Sequence, residues 1–174
     1  MNITIPKSVR ETVENLLEVL DIDIQHIQYS LDYLDNLRGL LIKRDETSLS
    51  ELLNKIRIES TSYKQNELMR HKLRLQLADL MHCNIHDMTL SYLAKQLPEP
   101  LSSELSQKKY TLRELTNKLK QEHTHTSWLV MDCMRFNNTL FNAMFNKGRD
   151  RTLTYTPKGR TKQHTENSMM SIQF

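Results

Sequence analysis

Apolar residues in the N-terminal part of the chain recur at alternating intervals of four and three. The series consists of Val13, Leu17, Leu20, Ile24, Ile27, Leu31 and Leu34. This spacing is the heptad pattern of a helix that packs along a coiled-coil seam. It predicts a first helix that runs to about Lys43. Ser8 is the expected N-cap, with Glu11 as its capping-box partner.

A short polar break at residues 44–47 separates this helix from a second apolar series. Ser48 is the expected N-cap of the second helix, with Glu51 completing another capping box. The helix is predicted to end near residues 82–84, with Asn84 in a left-handed conformation. The short break favours antiparallel neighbours. The polar run at residues 59–62 predicts that packing is loosest at the middle of this helix.

The rest of the regular pattern predicts one short and one long helix. Thr89 is the expected cap of a helix over residues 90–96, and Pro100 can open the last helix, which should reach about Phe145. The long helix keeps a 4-3 seam interrupted by Lys108, Glu122 and Thr126. In coiled coils such polar seam residues usually specify register, and a ligand site is the alternative.

Composition supports an all-α fold. The chain has only 3 Gly and 4 Pro in 174 residues, and turn-rich β folds need more of both. We therefore predict an elongated antiparallel coiled-coil-like bundle of three long helices plus one short helix, in a domain of residues 1–146. Residues 147–174 show no periodicity and carry six basic against two acidic residues. We expect a flexible C-terminal tail there that orders on a partner.

The end of the last helix carries more apolar residues than one seam requires. The candidate partner-binding residues on it are Met131, Met134, Leu140, Phe141, Met144 and Phe145. A wide face rich in flexible methionine suits an adaptable helix-binding surface. The alternative is that both sides of this segment pack against the other two long helices of the same chain.

Catalysis finds no support in the sequence. Three glycines exclude a phosphate-binding loop or a dinucleotide fingerprint, and no nucleophile stands in a recognisable signature. His82, Cys83 and His86 are zinc-ligand types, but no second ligand pair accompanies them. We predict no enzyme activity, no catalytic residues, no metal and no cofactor. A metal-dependent helical enzyme is the least favoured alternative.

Nucleic acid and membranes are also disfavoured as partners. Residues 1–146 carry a net charge of −1, and Tyr155 is the only aromatic residue of the basic tail before the terminal Phe174. A basic-tailed nucleic-acid binder stays as an alternative. No run approaches the length of a membrane span, and the N-terminus lacks the apolar core of a signal peptide. Cys83 and Cys133 fit a reduced, cytoplasmic protein.

The order of segments also resembles a known family. The motifs that carry the resemblance are the break and helix start at residues 44–53, the helix end at residues 73–80, the Thr89-Leu90-Ser91-Tyr92-Leu93 segment, the very long last helix, and a closing Thr154-Tyr155-Thr156-Pro157-Lys158-Gly159. Together they resemble the FlgN family of flagellar export chaperones over roughly residues 10 to 160.

This resemblance implies a cytoplasmic chaperone that binds the C-terminal amphipathic helices of hook-associated flagellar proteins. Such a chaperone prevents premature assembly and delivers its clients to the flagellar type III export apparatus, whose components are further candidate partners. The family's client-contacting region maps to the apolar end of the last helix and to Tyr155. A different helical secretion chaperone or a coiled-coil adaptor is the alternative function. A homodimer of the free protein stays open.

Overall fold

The structure is a computed structural model that describes residues 6–146 and two short segments, 152–155 and 161–164. Four helices account for nearly all of residues 6–146: α1 (Lys7–Lys43), α2 (Glu46–Leu80), α3 (Leu90–Gln96) and α4 (Leu101–Asn146). The prediction of an all-α fold with three long helices and one short helix is confirmed for residues 6–146. The chain divides into two compact units, Met1–Ser127 and Trp128–Phe174, and the division falls within α4.

The start of α1 differs from the sequence prediction. Pro6 is the N-cap residue, and its carbonyl accepts hydrogen bonds from the N–H groups of Val9 and Arg10. Ser8 lies inside the first turn, where its carbonyl accepts a hydrogen bond from the hydroxyl of Thr12. The predicted Ser8 cap and its capping box are therefore wrong. Proline fixes φ near −65°, which prepares the chain for a helix without any side-chain cap.

The start of α2 also differs. Asp45 is the N-cap, because its carboxylate accepts hydrogen bonds from both the N–H (3.1 Å) and the hydroxyl (2.7 Å) of Ser48. The predicted cap at Ser48 is wrong by one turn, although Ser48 takes part in the cap as a donor. These hydrogen bonds from Ser48 lower the pKa of the Asp45 carboxyl below its ordinary value. A carboxylate also suits the positive end of the helix dipole.

Three polar residues, His82, Asn84 and Thr89, shape the connection from α2 to α3. His82, with φ of 51°, takes the left-handed conformation that was predicted for Asn84. Asn84 instead accepts a hydrogen bond from the N–H of His86 through its side-chain oxygen, at 3.0 Å. Thr89 accepts a hydrogen bond from the N–H of Tyr92 at 3.1 Å, which confirms the predicted cap of α3.

The core of the first unit combines residues from all four helices. Its most deeply buried members are Val13, Leu16, Leu20, Leu77, Leu93 and Leu105. Helices α1 and α2 run antiparallel, since Tyr33 bonds to Glu59 while the earlier Asp23 bonds to the later Arg70. Leu105 brings the beginning of α4 into this core.

A buried polar cluster joins α1 to α2. Asp23 is almost fully buried, and its two carboxylate oxygens accept hydrogen bonds from Asn66 (2.6 Å) and Arg70. Asn66 also donates to the carbonyl of Val19 at 3.2 Å. Every polar atom of the Asp23 carboxylate is thus satisfied, as burial of a charge requires.

The second unit contains the end of α4 and a small hairpin. Strands β1 (Thr152–Tyr155) and β2 (Thr161–His164) pair antiparallel, with Tyr155 opposite Thr161. These strands fall in the segment predicted to lack regular structure, and the other residues of 147–174 lie outside the described part of the chain. Alternating threonines with a tyrosine are residue types that strands favour.

Candidate partner-binding surface

The end of α4 exposes the apolar residues that the sequence singles out. Met131, Met134, Leu140, Phe141, Met144 and Phe145 are all exposed, and Met144 reaches 75%. Two further large side chains of this segment are exposed, Phe136 at 52% and Trp128 at 69%. At about 100° per residue, Phe136 lies on the same face as the six candidate residues, whereas Trp128 lies on the side that carries Asp132 and Arg135. We call the six residues together with Phe136 the α4 apolar surface. Neither Phe136 nor Trp128 was among the candidate binding residues.

The α4 apolar surface is unusually wide. At about 100° per residue, the positions from Phe136 around to Met131 span about 220° of the helix circumference. The opposite side carries Asp132, Arg135 and Thr139. A stripe that packs on one neighbour needs only about 100°. The α4 apolar surface is therefore wide enough to contact two helices at once.

Local contacts organise both sides of this segment. The rings of Phe141 and Phe145 lie 4.3 Å apart between centroids with a 36° tilt, so one turn presents a continuous aromatic patch. On the polar side, Arg135 and Asp132 form an exposed ion pair at 3.7 Å, and Thr139 donates to the carbonyl of Arg135 at 2.9 Å. Charge stays on one side of the helix, and the apolar side carries none.

Tyr155 was the remaining predicted partner-binding residue. It lies on β1, but its side chain is outside what the structure describes. Its predicted role therefore stays a prediction. The six α4 residues, by contrast, form one surface that can bury aromatic and thioether side chains against an apolar partner.

The polar seam residues of α4 contact partners on α1. Arg38 donates to the Glu122 carboxylate and, at 3.3 Å, to the Thr126 hydroxyl, and Lys108 binds Asp21. Asp21 precedes Arg38 on α1, and their partners Lys108 and Glu122 follow in the same order on α4, so the two helices run in the same direction. The hydrogen bond to Glu122 is the main cause that raises the pKa of Arg38 above its ordinary value. Ion pairs at these positions fit the register role that the sequence predicts for polar seam residues.

Among the described residues, no group of three or more His, Cys, Asp or Glu side chains is placed to hold a metal ion, including around His82, Cys83 and His86. Nor does any described helix combine the length and the apolar character of a membrane span.

Comparison with known proteins identifies the family. Neither the curated proteins nor the solved structures compared with it gave a match. The family model described as FlgN protein, however, matches residues 1–163, which is nearly the whole chain and includes all four helices and most of the hairpin. This match agrees with the resemblance read from the segment order. The chain belongs to the FlgN protein family of flagellar export chaperones.

Proposed function

We propose that this protein is a cytoplasmic chaperone that binds the C-terminal amphipathic helix of hook-associated flagellar proteins, the proteins of the hook–filament junction. In this proposal it prevents their premature assembly and delivers them to the type III export apparatus. The observation that carries the proposal is the α4 apolar surface, which offers seven large exposed side chains on one face of one helix segment. Large exposed apolar patches in proteins mark interaction sites.

Capture would follow the helix-in-groove mode. An amphipathic client helix presents apolar anchors at spacings of three and four residues, and these dock on the methionine and phenylalanine side chains of α4. Methionine has a flexible thioether chain, so Met131, Met134 and Met144 can adapt to more than one client sequence. The width of about 220° lets two client segments share the surface.

The remaining parts of the chain have supporting roles in this proposal. The three long helices act as an elongated antiparallel bundle that holds the end of α4 ready for the client. Residues 147–174, with Tyr155 on β1, add contacts to the bound client. In the free protein a homodimer covers the α4 apolar surface, and the client displaces the second copy, because both would bury the same apolar side chains.

The test replaces Phe141 and Met144 together by Ser in the full chain. Capture of a purified hook-associated protein should weaken at least about tenfold, since central aromatic and apolar anchors dominate interface energies. The measurement is an isothermal titration or pull-down, with far-UV circular dichroism of the variant recorded in parallel. The helical signal should persist because both side chains are exposed.

A matched control comes from two exposed apolar residues of α2. Ile58→Ser with Leu68→Ser removes side chains that are 71% and 70% exposed, comparable with those of Phe141 and Met144. Capture should be unchanged in this control. Equal losses in both variants, or loss of helix together with loss of binding in F141S/M144S, would contradict the proposed surface.

A further inference from the structure

A second surface of the protein lies wholly within the first unit. Three adjoining cavities of about 520, 340 and 670 Å³ are lined by α1, α2 and α4. The first two cavities share Ile27 and Tyr63, and the second and third share Ile56 and Leu119. They therefore form one groove along α1, which we call the α1 groove.

The length of the α1 groove can be read from its floor. Its lining on α1 begins at Leu16 and ends at Leu34, and at 1.5 Å per residue this interval is about 27 Å long. That length corresponds to about five turns of an α-helix. The first and third cavities are centred about ten residues apart on α1, which is about three turns. An occupant with two large apolar side chains about three turns apart would place one in each cavity.

Apolar side chains form the floor, and polar ones keep the groove open. Leu16, Leu20 and Leu93 line the first cavity, while Ile56 and Leu119 line the other two. The second cavity lies at the polar middle of α2, where Glu59 and Ser60 take positions that a tightly packed seam would give to apolar residues. The sequence predicted the loosest packing at this point.

The charges of the α1 groove have one sign once its internal pairs are counted. The acidic side chains that line it are both occupied: Asp23 by Arg70 and Asn66, and Glu59 by the Tyr33 hydroxyl. Two basic side chains that line it, Arg74 and Lys120, have no carboxylate partner within residues 6–146. Arg74 is held instead by the carbonyls of Ile85 (3.0 Å) and Met88 (3.2 Å).

We propose that the α1 groove binds an acidic amphipathic helix of a partner protein, about five turns long, with carboxylates that pair with Arg74 and Lys120. Charge sign argues against this chain's own segment 147–174, whose net charge is +4. It also argues against the α4 apolar surface of a second copy, since Asp132 there is already paired with Arg135. The α1 groove lies in residues 16–124 and is separate from the α4 apolar surface, so this site does not depend on the identity of the flagellar client.

The test uses two synthetic helical peptides of about 20 residues. Both carry leucines at anchor positions about three turns apart, and one has glutamates on its flanks where the other has lysines. Fluorescence-detected titration against the full-length protein should show one-to-one binding of the acidic peptide and at least tenfold weaker binding of the basic one. Hydrogen exchange should slow in the middle of α1 and in the first half of α4.

Three variants locate the binding site. Leu119→Trp fills the second and third cavities and should weaken the acidic peptide at least tenfold. Lys120→Glu removes a cation at the rim and should weaken it about threefold, a magnitude typical of an exposed ion pair. Lys118→Glu is the matched control, since Lys118 is exposed on the same helix but does not line the groove.

Four results would overturn the proposal. They are equal affinity for both peptides, no binding of the acidic peptide, equal weakening by K118E and K120E, and unchanged affinity in a folded L119W variant. Sedimentation that shows a wild-type dimer dissociated by L119W would assign the groove to a second copy instead. Loss of binding in F141S/M144S, with the K120E and L119W affinities equal to wild type, would place the peptide on the α4 apolar surface.

Discussion

The unit boundary divides α4 into a first half, residues 101–127, and a second half, residues 128–146, that treat polar and apolar residues in opposite ways. In the first half Thr126 is only 3% exposed and bonds to Arg38, while two residues further on Trp128 is 69% exposed. Burial in this helix therefore follows the contacts available at each position and not the residue type. Where α1 and α2 supply partners, even polar side chains of α4 are covered. In the second half the apolar side chains are exposed, and a partner protein is the cover that we propose for them.

The largest expected effect compares two leucines of α4. Leu105→Ala should lower the free energy of unfolding by about 3 kcal/mol, because the removed side chain leaves a cavity in the core. Leu140→Ala should change it by less than about 0.5 kcal/mol, as surface substitutions usually do. Leu105 is 0% exposed and Leu140 is 43% exposed. Urea unfolding followed by circular dichroism measures both, and a large loss in L140A would break the contrast between the two halves.

The next effect concerns the buried carboxylate of the first unit. Asp23→Ala leaves Arg70 without its acceptor and Asn66 with only the Val19 carbonyl. It should cost about 3 kcal/mol, near the lower end for a broken buried pair because Arg70 is partly exposed. Asp21→Ala is the control. It removes the carboxylate that pairs with Lys108, and because that carboxylate is 53% exposed the change should cost less than about 1 kcal/mol. Similar losses in both variants would mean that burial does not determine how much these ion pairs contribute to the free energy of unfolding.

A smaller effect separates an ion pair of each half of α4. Glu122→Ala should cost about 1 kcal/mol, since Glu122 and Arg38 are each only about a quarter exposed. Asp132→Ala should have no measurable effect on stability, because Asp132 and Arg135 are both almost three-quarters exposed. Chemical denaturation at low and at high salt measures the difference. Salt should reduce any contribution of Asp132 first.

The smallest effect is a pH dependence in the first unit. The hydrogen bond to Glu59 raises the pKa of Tyr33 from 10.0 to about 12. Because the folded pKa is the higher one, this hydrogen bond contributes stability that is complete below pH 10 and is lost between pH 10 and 12. Phenolate absorbance, taken as the difference between wild type and Tyr33→Phe, should show this late titration. Glu59→Gln should bring it back towards 10.0, whereas Glu114→Gln, beside Tyr110, should leave it unchanged.

The helices themselves were predictable from the sequence, but the starts of α1 and α2 were not. The 4-3 spacing predicted α1 and α4 and an apolar series predicted α2, because these helices are long. The cap at Thr89 predicted the short α3. Capping depends on which of several neighbouring polar residues reaches the free N–H groups. Asp45 and Ser48 both satisfy the sequence rule, and only the fold selects Asp45. At Thr89 the prediction is confirmed, although Asp87 and Ser91 nearby are also residue types that cap helices.

The buried polar cluster was missed although its signal is present. Asp23 follows Leu16 and Leu20 and precedes Ile27 at intervals of four, three and four, which is seam spacing. Asn66 and Arg70 take equivalent places between Tyr63 and Leu73 on α2. A polar residue at a seam position of one helix should direct the search to polar seam positions of its antiparallel neighbour. The candidate site itself was predicted from the excess of apolar residues, but its exposure needed the structure.

Trp128 gives the protein a built-in spectroscopic reporter. It is the single tryptophan of the chain and lies one turn before Met131 of the α4 apolar surface, with most of its side chain in water. Its fluorescence should therefore be that of a solvated indole, and it should shift to shorter wavelength when an apolar partner covers the ring. A single optical measurement can thus report, without any label, when a partner covers this end of α4.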